Sequence, residues 1–264
     1  MKKYKTLKAI SLTLLIAMLS LVLFGCKMQL SEDVFTVGNT LKTSHRLIYS
    51  IVNQEQDIDG ELIFKYVVQQ DGYTKMQTYA DFETWEYKAE VLFNTKTLLP
   101  VSSYKANIYA STKEEDWSVE TRYGTDSARI SALQEDKVVD KTVDTPSQYI
   151  DNEMINLTLG LIQIEQGQRV DINVLVSESA MFAPYTITNE ATEQVTVNGK
   201  TYECVKYTAK YAGFSLFTAK ASYLWYTNDE NRVLVKYESG SQIMTLKEVI
   251  ETQPDDQWLY MSIH

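Results

Sequence analysis

Histidine and cysteine are nearly missing from this chain of 264 residues, which holds two of each. A Ser–His–Asp or Cys–His nucleophile needs a histidine base beside it. His45 lies near the start and His264 ends the chain, so neither is placed for that chemistry. A zinc site wants a cluster of Cys and His, and Cys204 has no histidine near it in sequence. A glycine-rich phosphate loop is missing too, so no metal and no cofactor is expected. Bases are in the minority, with 25 Lys and Arg against 35 Asp and Glu and a net charge of −10. Such a surface excludes nucleic acid and is a poor partner for anionic headgroups. Acidic runs such as Glu114-Glu115-Asp116 and Asp255-Asp256 read as solvated loops. Asp57-x-Asp59-Gly60-Glu61 lacks the third early ligand and the late Glu of a calcium loop. It reads as a hairpin turn, as does Asp229-Glu230-Asn231.

What the N-terminus does have is an address. Lys2, Lys3, Lys5 and Lys8 precede an apolar and hydroxyl run from Ala9 to Phe24, the pattern of a secretory signal. As a helix the run is about 24 Å long, short of the roughly 30 Å that a spanning helix must cross. The run closes on Leu23-Phe24-Gly25-Cys26, which resembles the lipobox of bacterial lipoproteins. The resemblance implies cleavage between Gly25 and Cys26 and acylation of Cys26, whose palmitate-type chains would hold the protein at the membrane. A plain anchor and an ordinary signal are the alternatives. The leader contains no acid, so the remainder is more acidic than the whole chain. An acylated Cys26 leaves Cys204 without a disulfide partner. The expected location is the extracytoplasmic face of the cell membrane, or the outer membrane in a diderm host.

The expected plan is a signal peptide over 1–25, an acylated cysteine and tether over 26–44, one domain over 45–252 and an apolar tail over 253–264. No Pro-, Gly- or Ser-rich break divides that domain. Its pattern has a period of two. Leu62, Phe64, Tyr66 and Val68 alternate with their neighbours, as do Trp85, Tyr87, Ala89, Val91 and Phe93. Tyr104, Ala106, Ile108 and Ala110 repeat the pattern, then Trp117, Val119 and Tyr123. Alternation of this kind puts one face on a core and the other in water, the habit of antiparallel sheet. Thr145-Pro146-Ser147-Gln148 reads as N-cap, N1 proline and capping-box glutamine. Ile150, Met154, Leu157 and Leu161 follow at helical spacing, and Gly167 reads as a stop, so a buried helix is predicted over about 146–165. Strands then resume at Val170–Val176. Asn198-Gly199 predicts a type I′ hairpin pairing Val197 with Lys200, Val195 with Tyr202 and Glu193 with Cys204.

This order of elements resembles the domain-of-unknown-function 3108 family of bacterial envelope proteins. The resemblance rests on Tyr223-Leu224-Trp225-Tyr226-Thr227-Asn228-Asp229 continuing through Arg232 to Lys236, on Phe93-Asn94 with Thr97-Leu98-Leu99-Pro100-Val101, and on the helix ending before Gly167. It implies the curved antiparallel half-barrel of lipoprotein carriers and their relatives, mainly β with one buried helix. It carries no catalytic residues across.

The aromatics are the remaining candidates for function. Tyr66, Trp85, Tyr87, Tyr104, Trp117, Tyr223 and Trp225 either line a concave face that holds an apolar ligand or fill the core beneath the helix. The expected function is therefore non-catalytic: binding of a lipid or other amphipathic envelope ligand, or help in envelope assembly. A protein-interaction module with a filled core is the alternative, with an envelope protein as partner. A carboxylate-dependent hydrolase comes third, because paired acids cannot be located from spacing alone.

Overall fold

Strands of this kind need hydrogen-bonded neighbours, and a meander supplies one at every turn. The computed structural model describes residues 35–252 except 40, 54, 56–57, 83–84, 110–111, 113, 135–136 and 214–220. Gly25 and Cys26, the start of the tether and the tail with Trp258, Leu259, Tyr260 and Ile263 lie outside the described residues.

Among the described residues, fifteen strands form a single curved sheet. One wing holds β1 (Ser44–Asn53), β2 (Ile58–Val68), β3 (Tyr73–Phe82), β4 (Trp85–Asn94), β5 (Pro100–Tyr109), β6 (Glu115–Tyr123), β7 (Ser127–Gln134) and β8 (Lys137–Asp144). The other holds β9 (Ile150–Asp151), β10 (Arg169–Val176), β11 (Met181–Val197), β12 (Lys200–Tyr211), β13 (Ser222–Thr227), β14 (Leu234–Ser239) and β15 (Gln242–Thr252). The two wings join where β1 pairs with β15, from Ser44 opposite Thr252 to Asn53 opposite Gln242. Every ladder is antiparallel except the short parallel contact of β9 with β10. The edges are β8 and β9, consecutive in the chain, and the sheet stays open between them. Val119, Ala128 and Ile130 meet Tyr149, Leu175 and Phe182 in one buried cluster, so side chains rather than backbone bonds fill that gap.

The Asn198-Gly199 hairpin forms in the expected register, with Val197 opposite Lys200, Val195 opposite Tyr202 and Glu193 opposite Cys204. Both turn residues have positive φ, 49° and 77°, as a type I′ turn requires. The helix is shorter than the sequence predicts. A 3-10 turn (Asn152–Met154), one α turn (Ile155–Thr158) and a second 3-10 turn (Leu159–Leu161) make up α1. Asp151 is the cap, its carboxylate accepting from the Glu153 N–H, and residues 145–149 instead carry the chain from β8 to β9. Pulling Ile150 into β9 beside Val174 removes the first turn of the predicted helix. Burial of α1 holds: Met154, Ile155, Leu159 and Leu161 lie in the main core, each contributing roughly 1.5–3 kcal/mol.

Two further expectations are corrected. The span 26–44 is not all tether, because Phe35 and Leu41 are core residues and Val37 bridges Ile162. This strap is laced to the end of α1 by Gly38 N–H to Leu161 O and Gln163 N–H to Thr36 O. The parity of β5 is also reversed. Ser103, Lys105 and Asn107 stand opposite Val91, Ala89 and Tyr87 on the core face, while Tyr104, Ala106 and Ile108 occupy the other.

Candidate functional site

A lysine on an inward face needs counter-charges, and α1 and the turn after β10 supply them. Lys105 Nζ lies 2.7 Å from Glu178 and 3.1 Å from Glu153. The side chains are 1% exposed for Lys105, 2% for Glu153 and 14% for Glu178. Asp151 completes the group: it accepts from Ser103 Oγ at 2.8 Å and from the Tyr123 hydroxyl. Burial works against the Lys105 ammonium, but Glu178, Glu153 and Asp151 together outweigh it and move its pKa up. For Glu153 burial is the largest influence and pushes the carboxyl up; Lys105 offsets it only partly, with Asp151 and Glu178 adding to the rise. The two directions are consistent, since three acids share one base. Beside them Asn107, 2% exposed, leaves both amide atoms without a hydrogen-bond partner.

A cavity of about 40 Å³ lies next to this cluster, between α1 and the concave face of the sheet. Leu62, Phe64, Ile155, Leu159, Leu224 and Met244 give it apolar walls, and Tyr87, Glu153 and Gln242 provide the polar points. At about 10–15 Å³ per water it has room for roughly three waters. Glu178 is not part of its lining. The two glutamates therefore converge on Lys105 and do not flank a space in which a glycosidic or ester bond could sit.

Of the aromatics singled out from the sequence, Tyr87 is a wall of this cavity. Tyr66 is buried, its hydroxyl 2.8 Å from His45 Nδ1. Trp85 stacks on Phe82 at 4.4 Å between ring centres, and Trp117 packs against both core clusters. Trp225 is buried and belongs to the main core, whereas Tyr223 is exposed. They alternate with Leu224 and Tyr226 on β13 and so point to the opposite face, where Trp225 sits between Lys206 and Lys236 and donates its indole N–H to Glu193. Tyr104 is likewise on the outer parity and donates to Glu115. Cys204 is buried in the main core. Among the described residues no group of three or more His, Cys, Asp or Glu is arranged to hold a metal. Lys105, Asp151, Glu153 and Glu178 are not signalled in the sequence, because Glu153 lies 48 residues from Lys105 and Glu178 further still, and Lys105 sits in a run whose apolar residues face the other way.

The model of the family described as protein of unknown function, DUF3108, matches residues 49–247. The chain belongs to the DUF3108 family. No curated protein matches it. The DUF3108 fold is similar to a solved beta-barrel-like protein of unknown function, DUF1849, from Brucella abortus. That match has 9% identity, covers 81% of this chain and 100% of the other and gives a TM-score of 0.55, a likeness of fold. The MucA/MucB complex of Pseudomonas aeruginosa shows 9% identity over 78% of this chain and 87% of the other, with a TM-score of 0.14 that carries no argument.

Proposed function

We propose that this DUF3108 protein is a non-catalytic lipoprotein, held at the extracytoplasmic face of the membrane through acylated Cys26, whose half-barrel binds an amphipathic envelope ligand. The observation that supports binding is the cavity under α1, where apolar walls meet a few convergent polar groups. Its resting volume is too small for an acyl chain, so loading requires α1 to move away from the sheet. α1 is built of three short turns, and moving it would give up the Tyr226 hydroxyl bond to Asn156 O, the Gly38 N–H bond to Leu161 O and the Lys105–Glu153 pair. The membrane address rests on Leu23-Phe24-Gly25-Cys26, and stable attachment needs the two or more acyl chains of a processed lipoprotein.

One observation favours the interaction-module alternative. Among the described residues β8 is an edge strand with Val138 66% and Val139 42% exposed, a surface able to take an added strand from an envelope protein.

Native mass spectrometry of the full chain, extracted gently from membranes, separates the two. A lipid-sized mass lost on denaturation supports the carrier or sensor role. An unloaded protein would move the function to β8 and its partners. In the same preparation Cys26→Ser is expected to release the protein from membranes or leave an uncleaved precursor. A fatty-acid label retained by Cys26→Ser would refute the anchor.

A further inference from the structure

One segment of the chain holds α1 at both ends. Before α1, the Gln148 side-chain amide donates to Phe35 O at 2.9 Å. After it, the Gly38 and Asn39 N–H groups both donate to Leu161 O, at 2.9 and 3.2 Å, and the Gln163 N–H donates to Thr36 O at 2.8 Å. Strap residues 35–39 thus tie the approach to α1 to its exit, although Phe35 and Gln148 are 113 positions apart in the chain. Between the two ties lie Asn152, Glu153, Ile155, Asn156 and Leu159, which line the cavity on its α1 side. Gly38 sets the closeness of the clasp: a Cβ there would meet Gln163 Cβ at 2.8 Å and its Cα at 3.3 Å, so a larger residue would push the two stretches apart. The clasp is open on one side, where a space of about 260 Å³ borders Gly38, Asn39, Gln163 and Ile164.

We propose that the strap is a latch on the cavity under α1. Seated, it keeps α1 on the sheet and the cavity at its resting volume; lifted, it frees α1 to rise and admit the apolar chain of an amphipathic ligand. The latch rests on the binding role given above and adds to it the element that controls access. A stretch tied at both ends to one short segment is held to the sheet while that segment stays seated. Among the bonds that moving α1 would give up, those of the strap are the nearest to water: Thr36 and Gly38 are exposed, whereas Tyr226, Lys105 and Glu153 are buried. Backbone groups released there are taken up by water, so this is the contact that opens first. The hold is also neutral, one bridge between Val37 and Ile162 flanked by backbone bonds, with Phe35 as its apolar anchor in the main core.

The bonds on either side of the Val37–Ile162 bridge are those of a non-hydrogen-bonded antiparallel pair, whose Cα atoms stand about 4.5 Å apart. That spacing accepts a disulfide, so Val37→Cys with Ile162→Cys locks the latch when oxidised and frees it when reduced. The full chain is purified in detergent and given oleoyl lysophosphatidylglycerol, with uptake followed by native mass spectrometry. The oxidised protein is expected to load about tenfold or more slowly than the same protein reduced, and its α1 amides to exchange with deuterium about tenfold more slowly. Gly38→Ala, which forces the strap off Gln163, should load about threefold or more faster than the native protein. Equal uptake by the oxidised and reduced forms, unchanged exchange in α1, or a folded Gly38→Ala protein that loads no faster than the native one overturns the latch and leaves binding standing. No uptake by the native protein or by the reduced variant overturns the binding role, and the latch with it.

Discussion

Replacing Lys105 by Met isolates the electrostatics at the centre of the fold. The side chains are similar in length, so the substitution removes a charge more than it removes volume. It leaves Glu153 buried without its cation, whereas Glu178 is partly hydrated. A buried ion deprived of its partner costs about 3–5 kcal/mol. The carboxyl can escape by taking a proton, which at pH 7 costs about 3.7 kcal/mol for a group that titrates near 4.3 in the unfolded chain. The expected loss at pH 7 is therefore about 3.5 kcal/mol, shrinking by about 1.4 kcal/mol per pH unit to about 1 kcal/mol at pH 5. The sign follows from proton counting. The folded variant holds a proton that the unfolded chain has released, so its stability falls as pH rises above the ordinary glutamate range. The native protein shows a weaker version of that slope, since its Glu153 is also raised. Lys105, raised in turn, contributes stability that persists at neutral pH and is lost only as pH climbs through and beyond the ordinary lysine range. Urea unfolding followed by tryptophan fluorescence, at pH 5 and pH 7, gives both numbers. Adding Glu153→Gln to the variant should recover most of the loss at pH 7. A loss below about 1 kcal/mol at pH 7, or the same loss at both pH values, would refute this account of the cluster.

Three other perturbations read different parts of the structure. Gly160→Ala puts a methyl group 2.6 Å from the Tyr226 ring and should lower stability by about 1–3 kcal/mol, measured by urea unfolding. Phe35→Ala should cost about 3–5 kcal/mol, because Phe35 is a core residue; a change within about 0.5 kcal/mol would return residue 35 to the tether. The Cys204 thiol, pushed up to about 12 mainly by burial with Glu193, Asp229 and Glu203 adding to it, should resist iodoacetamide at pH 8 in the folded protein and react readily in urea.

The strand pattern was legible wherever one face is apolar and the turn chemistry is strong. Asn198-Gly199 set a register that the structure reproduces pair for pair. The pattern misled at β5, where the face turned to the core carries Ser103, Lys105 and Asn107. Local periodicity assigns the apolar side inward, and only the acids brought by α1 and the turn after β10 make the opposite choice stable. The start of α1 failed for a similar reason. Thr145-Pro146-Ser147-Gln148 has the chemistry of a helix cap, but the chain must cross from one edge of the sheet to the other at that point, and Asp151 caps the helix instead. For the aromatics, alternation fixes which residues share a face on one strand but not which face of a distant strand is concave. Tyr87 lines the cavity, while Tyr223 and Trp225 have the opposite parity to Leu224 on β13, Trp225 buried and Tyr223 exposed.

The pairing of β1 with β15 also governs when the protein can be finished. Within each wing nearly every contact joins neighbours in the chain, so hairpins can form locally and quickly. The central seam instead joins residues about 200 positions apart, from Ser44 with Thr252 to Asn53 with Gln242, and closing so long a loop is the entropically expensive step. A chain that emerges from its N-terminus must therefore keep one edge of β1 unsatisfied until its last strand arrives. Until then it exposes an unpaired strand to aggregation and to any chaperone that binds such edges. Loss of β15 would leave two half-sheets with no shared ladder, so truncation at the C-terminal end should abolish assembly as completely as removal of β1.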